Sequence, residues 1–196
     1  MARTADPKLR LDLLDRVVAY LVVNGLAQTT LRPMAKELGV SINRLVHHFG
    51  SKDELVTAAL ERAIDQQIAV QAGWVRRDPT ITQIDLYRKW WRWVTVSPAN
   101  LGMVRLNYEA ATLDTRVTGL AGEVRADQIG VWRHDIELRL LSEGLSAERA
   151  STQACLMKAT LTGLIMDLLA TGEKKRLTAA CDQWLNRLSE TIGGTR

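Results

Sequence analysis

Apolar residues recur along this chain at three- and four-residue steps, and no stretch alternates apolar with polar positions as a half-buried strand would. Leu9, Leu13, Leu14, Val17, Leu21 and Val22 make one stripe and predict a first helix from about Pro7 to Asn24, ended by Gly25. A short second helix follows Thr30, a candidate N-cap, with Pro33 in its first turn and Leu31, Met34, Ala35 and Leu38 facing inward. After Gly39-Val40-Ser41 a third short helix turns Leu45 and Phe49 to the same core. Ser51-Lys-Asp-Glu54 has the spacing of a capping box and opens a fourth helix reaching about Ala72. Longer helices are expected at about 80–96, 98–111, 120–143, 146–171 and 173–192. The fold class is therefore all-α, with about nine helices: an N-terminal helix-turn-helix head and a C-terminal helical region. The best break in composition lies at Gly73 to Pro79.

Charge sharpens this division. Residues 1–52 hold eight Lys and Arg against four acids, whereas the rest of the chain balances at eighteen of each. The whole net charge of +4 thus sits in the first quarter, as in a polyanion-binding head joined to a neutral body. With 46% apolar residues the chain is no disordered segment. No uninterrupted apolar run reaches the roughly 18 residues of a membrane span, and the N-terminus lacks the apolar core of a secretory signal. Cys155 and Cys181 suit a reduced, cytoplasmic protein and are expected as buried small apolar groups. No His, Cys and carboxylate cluster has metal-ligand spacing, and no cofactor is implied. There is no phosphate-cradling glycine loop, nucleophile motif or paired-carboxylate signature, which argues against an enzyme.

The segment TTLRPMAKELGVSINRLVHHFGSKDEL, with the first-helix stripe, resembles the tetracycline-repressor (TetR) family of bacterial transcription regulators over about residues 8–60. The resemblance implies a DNA-binding head over 1–52 and a ligand-binding and dimerisation domain over 53–196, with the helix at 52–72 connecting them. It further implies a homodimer acting on a pseudopalindromic double-stranded operator, most simply a repressor released by a small-molecule effector. The DNA-binding residues it implies are Arg32 at the start of the second helix, Ser41, Ile42, Asn43, Arg44, Val46 and His48 on the third, and Lys52 on a phosphate. This chain departs from the common pattern: Val46 stands where tyrosine is usual, Ile42-Asn43 where Lys or Arg with Gly or Pro is usual, and Arg44 where a small hydroxyl residue is usual. Two roles are open to Arg44, a bidentate bond to guanine O6 and N7 or a phosphate contact that carries no sequence information. Asn43 suits adenine. His48 is expected at a phosphate, and His47 packed sideways against the first helix.

Six tryptophans against one phenylalanine are unusual, and Trp90, Trp91 and Trp93 share one helix. Each of these side chains alone is plain core; as a set they fit an apolar pocket with few polar anchors, hence an apolar or aromatic effector. The candidate ligand residues are Tyr87, Trp90, Trp91, Met103, Asn107, Tyr108, Trp132 and His134. By resemblance the last two long helices pair with their two-fold mates, and Leu161, Ile165, Leu168, Trp184 and Leu188 are the candidate interface. A sequence-independent helical DNA-binding protein without effector control is the alternative.

Overall fold

The computed structural model describes residues 7–27, 29–112 and 121–193. Among the described residues there are nine helices and no strand: α1 (Pro7–Asn24), α2 (Leu31–Leu38), α3 (Ile42–Phe49), α4 (Lys52–Arg77), α5 (Gln83–Val96), α6 (Pro98–Thr112), α7 (Ala121–Ser142), α8 (Ala147–Thr171) and α9 (Lys174–Gly193). The chain divides into two compact units, Met1–Val70 with Ser97–Asp127, and Gln71–Val96 with Gln128–Arg196.

Local chemistry sets most helix ends. Gly39 takes φ 64° after α2, and the amides of Gly39 and Val40 turn back onto the carbonyls of Lys36 and Ala35. That left-handed exit suits glycine and satisfies the last carbonyls of the helix. Ser41 caps α3, its Oγ accepting from Arg44 N at 3.1 Å. The capping box forms in full: Ser51 Oγ accepts from Glu54 N at 3.2 Å and Glu54 Oε2 accepts from Ser51 N at 2.7 Å. Thr30 stands at the N-cap of α2 in extended conformation, but its hydroxyl makes no cap bond. α4 runs past the expected end near Ala72 to Arg77, with Gly73 inside it. A helical glycine costs only about 1 kcal/mol, and the true stop is Asp78, whose α conformation Pro79 disfavours.

In the first unit, Leu13, Val17 and Leu21 of α1, Met34 of α2, Leu45 and Phe49 of α3, and Leu55, Ala59 and Leu60 of α4 form one core. Leu106 and Ala110 of α6 join it. α6 therefore packs with the head, although its residues lie far along the chain. Gly102 permits the approach: a Cβ there would stand 2.7 Å from Val22 Cγ1 and 3.0 Å from Val22 O. Two polar contacts fasten the seam. Arg105 donates to Val22 O at 2.9 Å, and Glu109 Oε2 accepts from Leu26 N at 2.8 Å. Arg105 and Glu109 are themselves paired at 2.9 Å. Between α1 and α4, Arg62 grips both oxygens of Asp15, at 2.6 and 3.1 Å, while Gln66 adds a third bond at 2.9 Å. The Asp15 bond holds the Arg62 guanidinium above its ordinary pKa.

In the second unit Trp91 is 1% exposed, and its Nε1 donates to Thr178 Oγ1 at 3.0 Å. Tyr87 meets Trp184 edge-on with ring centroids 6.2 Å apart. Gln83 N donates to Glu143 Oε1 at 2.6 Å, and Arg139 donates to Ile81 O at 3.1 Å, tying the start of α5 and the segment before it to the end of α7. Met157, Ile165, Leu177, Cys181 and Leu185 are buried. Burial pushes the Cys181 thiol up to about 12. Cys155, expected buried, is exposed: it lies on the opposite face of α8 from Ala154 and Met157.

α8 also differs from the expectation drawn from continuous apolar runs. Taken whole, it is long and apolar enough to cross a membrane by length and composition, yet only 22% of its most apolar window is buried. Its exposed face carries Thr152, Cys155, Leu156, Ala159, Gly163, Met166 and Ala170. At 100° per residue these fall on one arc, which bears no charge from Thr152 to Ala170; exposed Glu148, a turn nearer the N-terminus, lies on the same arc.

Candidate nucleic-acid interface

α3 is eight residues long, so it spans about 12 Å at 1.5 Å per residue. Leu45 and Phe49 anchor its back in the core at 1% and 7% exposure. Ile42, Asn43, Arg44, Val46 and His47 are all exposed on its front. Arg32 at the start of α2 is exposed, and Lys52 at the start of α4 is half-buried. Among the described residues, the side chains of Arg32, Asn43, Arg44 and Lys52 have no hydrogen-bond or ion-pair partner. Their donors face solvent, as a surface built to meet phosphates and base edges requires.

α1 supplies two residues missing from the expected site. Arg16 donates to Leu38 O, the last carbonyl of α2, and Arg10 donates to His48 O at 3.2 Å near the end of α3. The Arg10 guanidinium also lies 4.9 Å from the centre of the Phe49 ring. The final carbonyls of a helix lack intrahelical partners and carry the negative end of its dipole, so arginines there fasten both helices of the motif to α1. The signal in the sequence was only a pair of arginines six positions apart on the polar side of the α1 stripe.

The two histidines differ in burial, and it is not His47 that packs against α1. His47 is exposed, whereas His48 is half-buried with its Nδ1 enclosed and unpartnered. The physical reason is that position 48, not 47, lies beside Arg10 of α1. Burial, then His47, Arg44 and Arg10, hold His48 below the ordinary imidazole pKa of 6.5.

The candidate ligand residues fall in both units. Met103, Asn107 and Tyr108 stand half-buried on α6 in the first. In the second, Tyr87, Trp90 and Trp91 are buried on α5, Trp132 is half-buried and His134 exposed on α7. Trp90 Nε1 and Asn107 Oδ1 are buried polar atoms without a partner. Of the candidate interface residues, Ile165, Leu168 and Leu188 are buried within the protomer, and Leu161 and Trp184 are half-buried. Among the described residues no group of three or more His, Cys, Asp or Glu is placed to hold a metal ion.

Residues 13–59 match the family "Bacterial regulatory proteins, tetR family". The fold is similar to that of a transcriptional regulator from Rhodococcus sp. Rha1, with TM-score 0.77 and 22% identity over 93% of this chain and 96% of that one. It is also similar to the multidrug binding protein EbrR complexed with imidazole, with TM-score 0.65 and 21% identity over 93% of each chain. A protein from Saccharomonospora viridis described as a transcriptional regulator, in complex with choline, has TM-score 0.71 and 18% identity over 94% of this chain and 97% of that one. At these identities the likeness establishes the fold. No curated protein sequence is significantly similar to this chain.

Proposed function

The head of this chain belongs to the tetR family of bacterial regulatory proteins, and from that premise we propose that the protein is a cytoplasmic homodimeric repressor released from its operator by a small apolar or aromatic effector. The observation that carries the reading is the front of α3, with Asn43 and Arg44 exposed and without a side-chain partner among the described residues while Leu45 and Phe49 hold the helix from behind. In the major groove Arg44 reads guanine, Asn43 reads adenine, and Ile42 and Val46 meet thymine methyls. Arg32, Ser41, His48 and Lys52 fix the register on phosphates.

A helix this short reads only a few base pairs, so two copies are needed, with half-sites about 34 Å apart or a multiple of that. The uncharged exposed arc of α8 supports the dimer. A second copy seated on Leu156, Ala159, Gly163 and Met166 covers apolar surface that the protomer leaves open. Repression follows because occupying a promoter needs no further contact surface.

That EbrR was solved with imidazole and with ethidium, and the S. viridis protein with choline, supports a small-molecule effector. The candidate contacts are taken unit by unit: Met103, Asn107 and Tyr108 in one, and Tyr87, Trp90, Trp91, Trp132 and His134 in the other.

Selection from random duplexes tests the reading. It should enrich a two-fold symmetric site, and a panel of apolar and aromatic molecules should contain one that releases it while altering tryptophan emission. Binding that is salt-dependent but indifferent to sequence, or an operator complex that no member of the panel dissociates, counts against it.

A further inference from the structure

Gln67 of α4 is 1% exposed, a buried amide that the helical pattern does not announce. Its Nε2 donates to Ala63 O at 3.1 Å, one turn back along the same helix. That bond decides which end of the amide faces outward: Gln67 Oε1 is left as the acceptor. Asn107 of α6 meets it with Nδ2 at 3.5 Å. Turning Asn107 over would set two amide oxygens against each other, and turning Gln67 over would set its oxygen against the Ala63 carbonyl. The sense of both amides therefore descends from one helix carbonyl. The relay ends on Asn107 Oδ1, which is buried and has no partner.

A buried carbonyl oxygen without a donor is costly and uncommon in folded proteins. One turn before Asn107 on α6 stands half-buried Met103, and one turn before Gln67 on α4 stands buried Ile64. The nearest charges on α6, Arg105 and Glu109, are spent on each other and on the end of α1.

We propose that Gln67 and Asn107 form an amide relay of fixed polarity that receives a neutral hydroxyl or N–H of the effector on Asn107 Oδ1. The proposal rests on the reading of the chain as effector-responsive and narrows the effector to a class: an aromatic or apolar molecule carrying an uncharged hydrogen-bond donor. A carboxylate is repelled by the relay's oxygen, and the nearest acid along α6, Glu109, is already paired with Arg105. Gln67 is a positioning residue, since it acts by holding Asn107.

Phenol, toluene and anisole test this on the free full-length protein by calorimetry, because phenol and toluene match in size and differ in the donor. Wild type should bind phenol about fivefold to tenfold tighter than toluene, the ratio one net hydrogen bond supplies. Asn107→Leu should abolish that preference. If the leucine variant does not fold, Asn107→Ala serves for the binding comparison. Gln67→Leu should release Asn107 to present either end, so that the preference for phenol over anisole shrinks. Equal binding of phenol and toluene by wild type, binding of neither, or a phenol preference that survives at position 107 overturns the proposal. A phenol preference unchanged by Gln67→Leu overturns the relay. Operator release is scored separately: phenol binding with the predicted preference but without release defeats the repressor reading and leaves the relay standing.

Discussion

Gly102→Ala separates local helix preference from the packing of α6 on α1. By propensity alone the substitution stabilises, because alanine is better than glycine within a helix by roughly 0.8–1.0 kcal/mol. The packing says otherwise. The added Cβ would meet Val22 Cγ1 at 2.7 Å and Val22 O at 3.0 Å. Valine in a helix is nearly confined to one rotamer, and the carbonyl oxygen belongs to α1 itself, so neither yields easily. Forcing a methyl group into such a contact costs typically about 1–3 kcal/mol. Moving α6 away also strains the Arg105 bond to that same Val22 O, worth about 1 kcal/mol net. The balance is a loss of about 1–3 kcal/mol in unfolding free energy. Gly73→Ala is the control, since its Cβ would meet only Arg76 Nη2, at the ordinary distance of 3.8 Å. It should gain up to about 1 kcal/mol. Urea unfolding followed by circular dichroism measures both. A Gly102→Ala protein as stable as wild type, or more so, would refute the packing argument.

Other outcomes follow from the same physical reasoning. Leu156→Glu places a charge in the uncharged arc of α8; sedimentation should find a monomer and operator affinity should fall by at least tenfold, about 1.4 kcal/mol, whereas an unchanged dimer would move the interface elsewhere. His48 is held below its ordinary pKa, so folding favours the neutral ring and stability declines as pH falls through 6.5. A phosphate beside it reverses the preference: operator binding should take up a proton and tighten over the same fall in pH, an effect that His48→Asn should remove and that fluorescence anisotropy at fixed salt can follow. Cys155 should react with a thiol reagent in the folded chain, faster in Leu156→Glu than in wild type, while Cys181, pushed up to about 12 by burial, reacts only on unfolding. Equal labelling rates for the two thiols would contradict their placement.

Features whose cause lies within one turn were legible in the sequence. Ser41, Ser51 with Glu54, and Gly39 act on residues two to four positions away, so their spacing announces them. The stripe of α1 and the inward pair Leu45 and Phe49 follow from helical period alone. The front of α3 was legible for the same reason, since what a short helix does not bury it must show. Contacts between distant segments were hidden. Glu109 reaches Leu26 across 83 positions, and nothing near either residue foretells it. Arg10 and Arg16 looked like surface charge because their partners are backbone carbonyls, which every residue has. α8 is apolar on more than one face, so period could not say that Ile165 and Leu168 point inward while Leu156 and Met166 point out.

The reading of the chain as a sequence-specific regulator turns on Arg44 meeting a guanine from the front of α3. Methylation interference on the selected operator tests it most directly, because a methyl group on guanine N7 blocks one arm of the bidentate bond. Methylating the same guanine in each half-site should abolish binding by wild type and should no longer matter to Arg44→Ala. An identical interference pattern for the two proteins, at equal affinity, would contradict it.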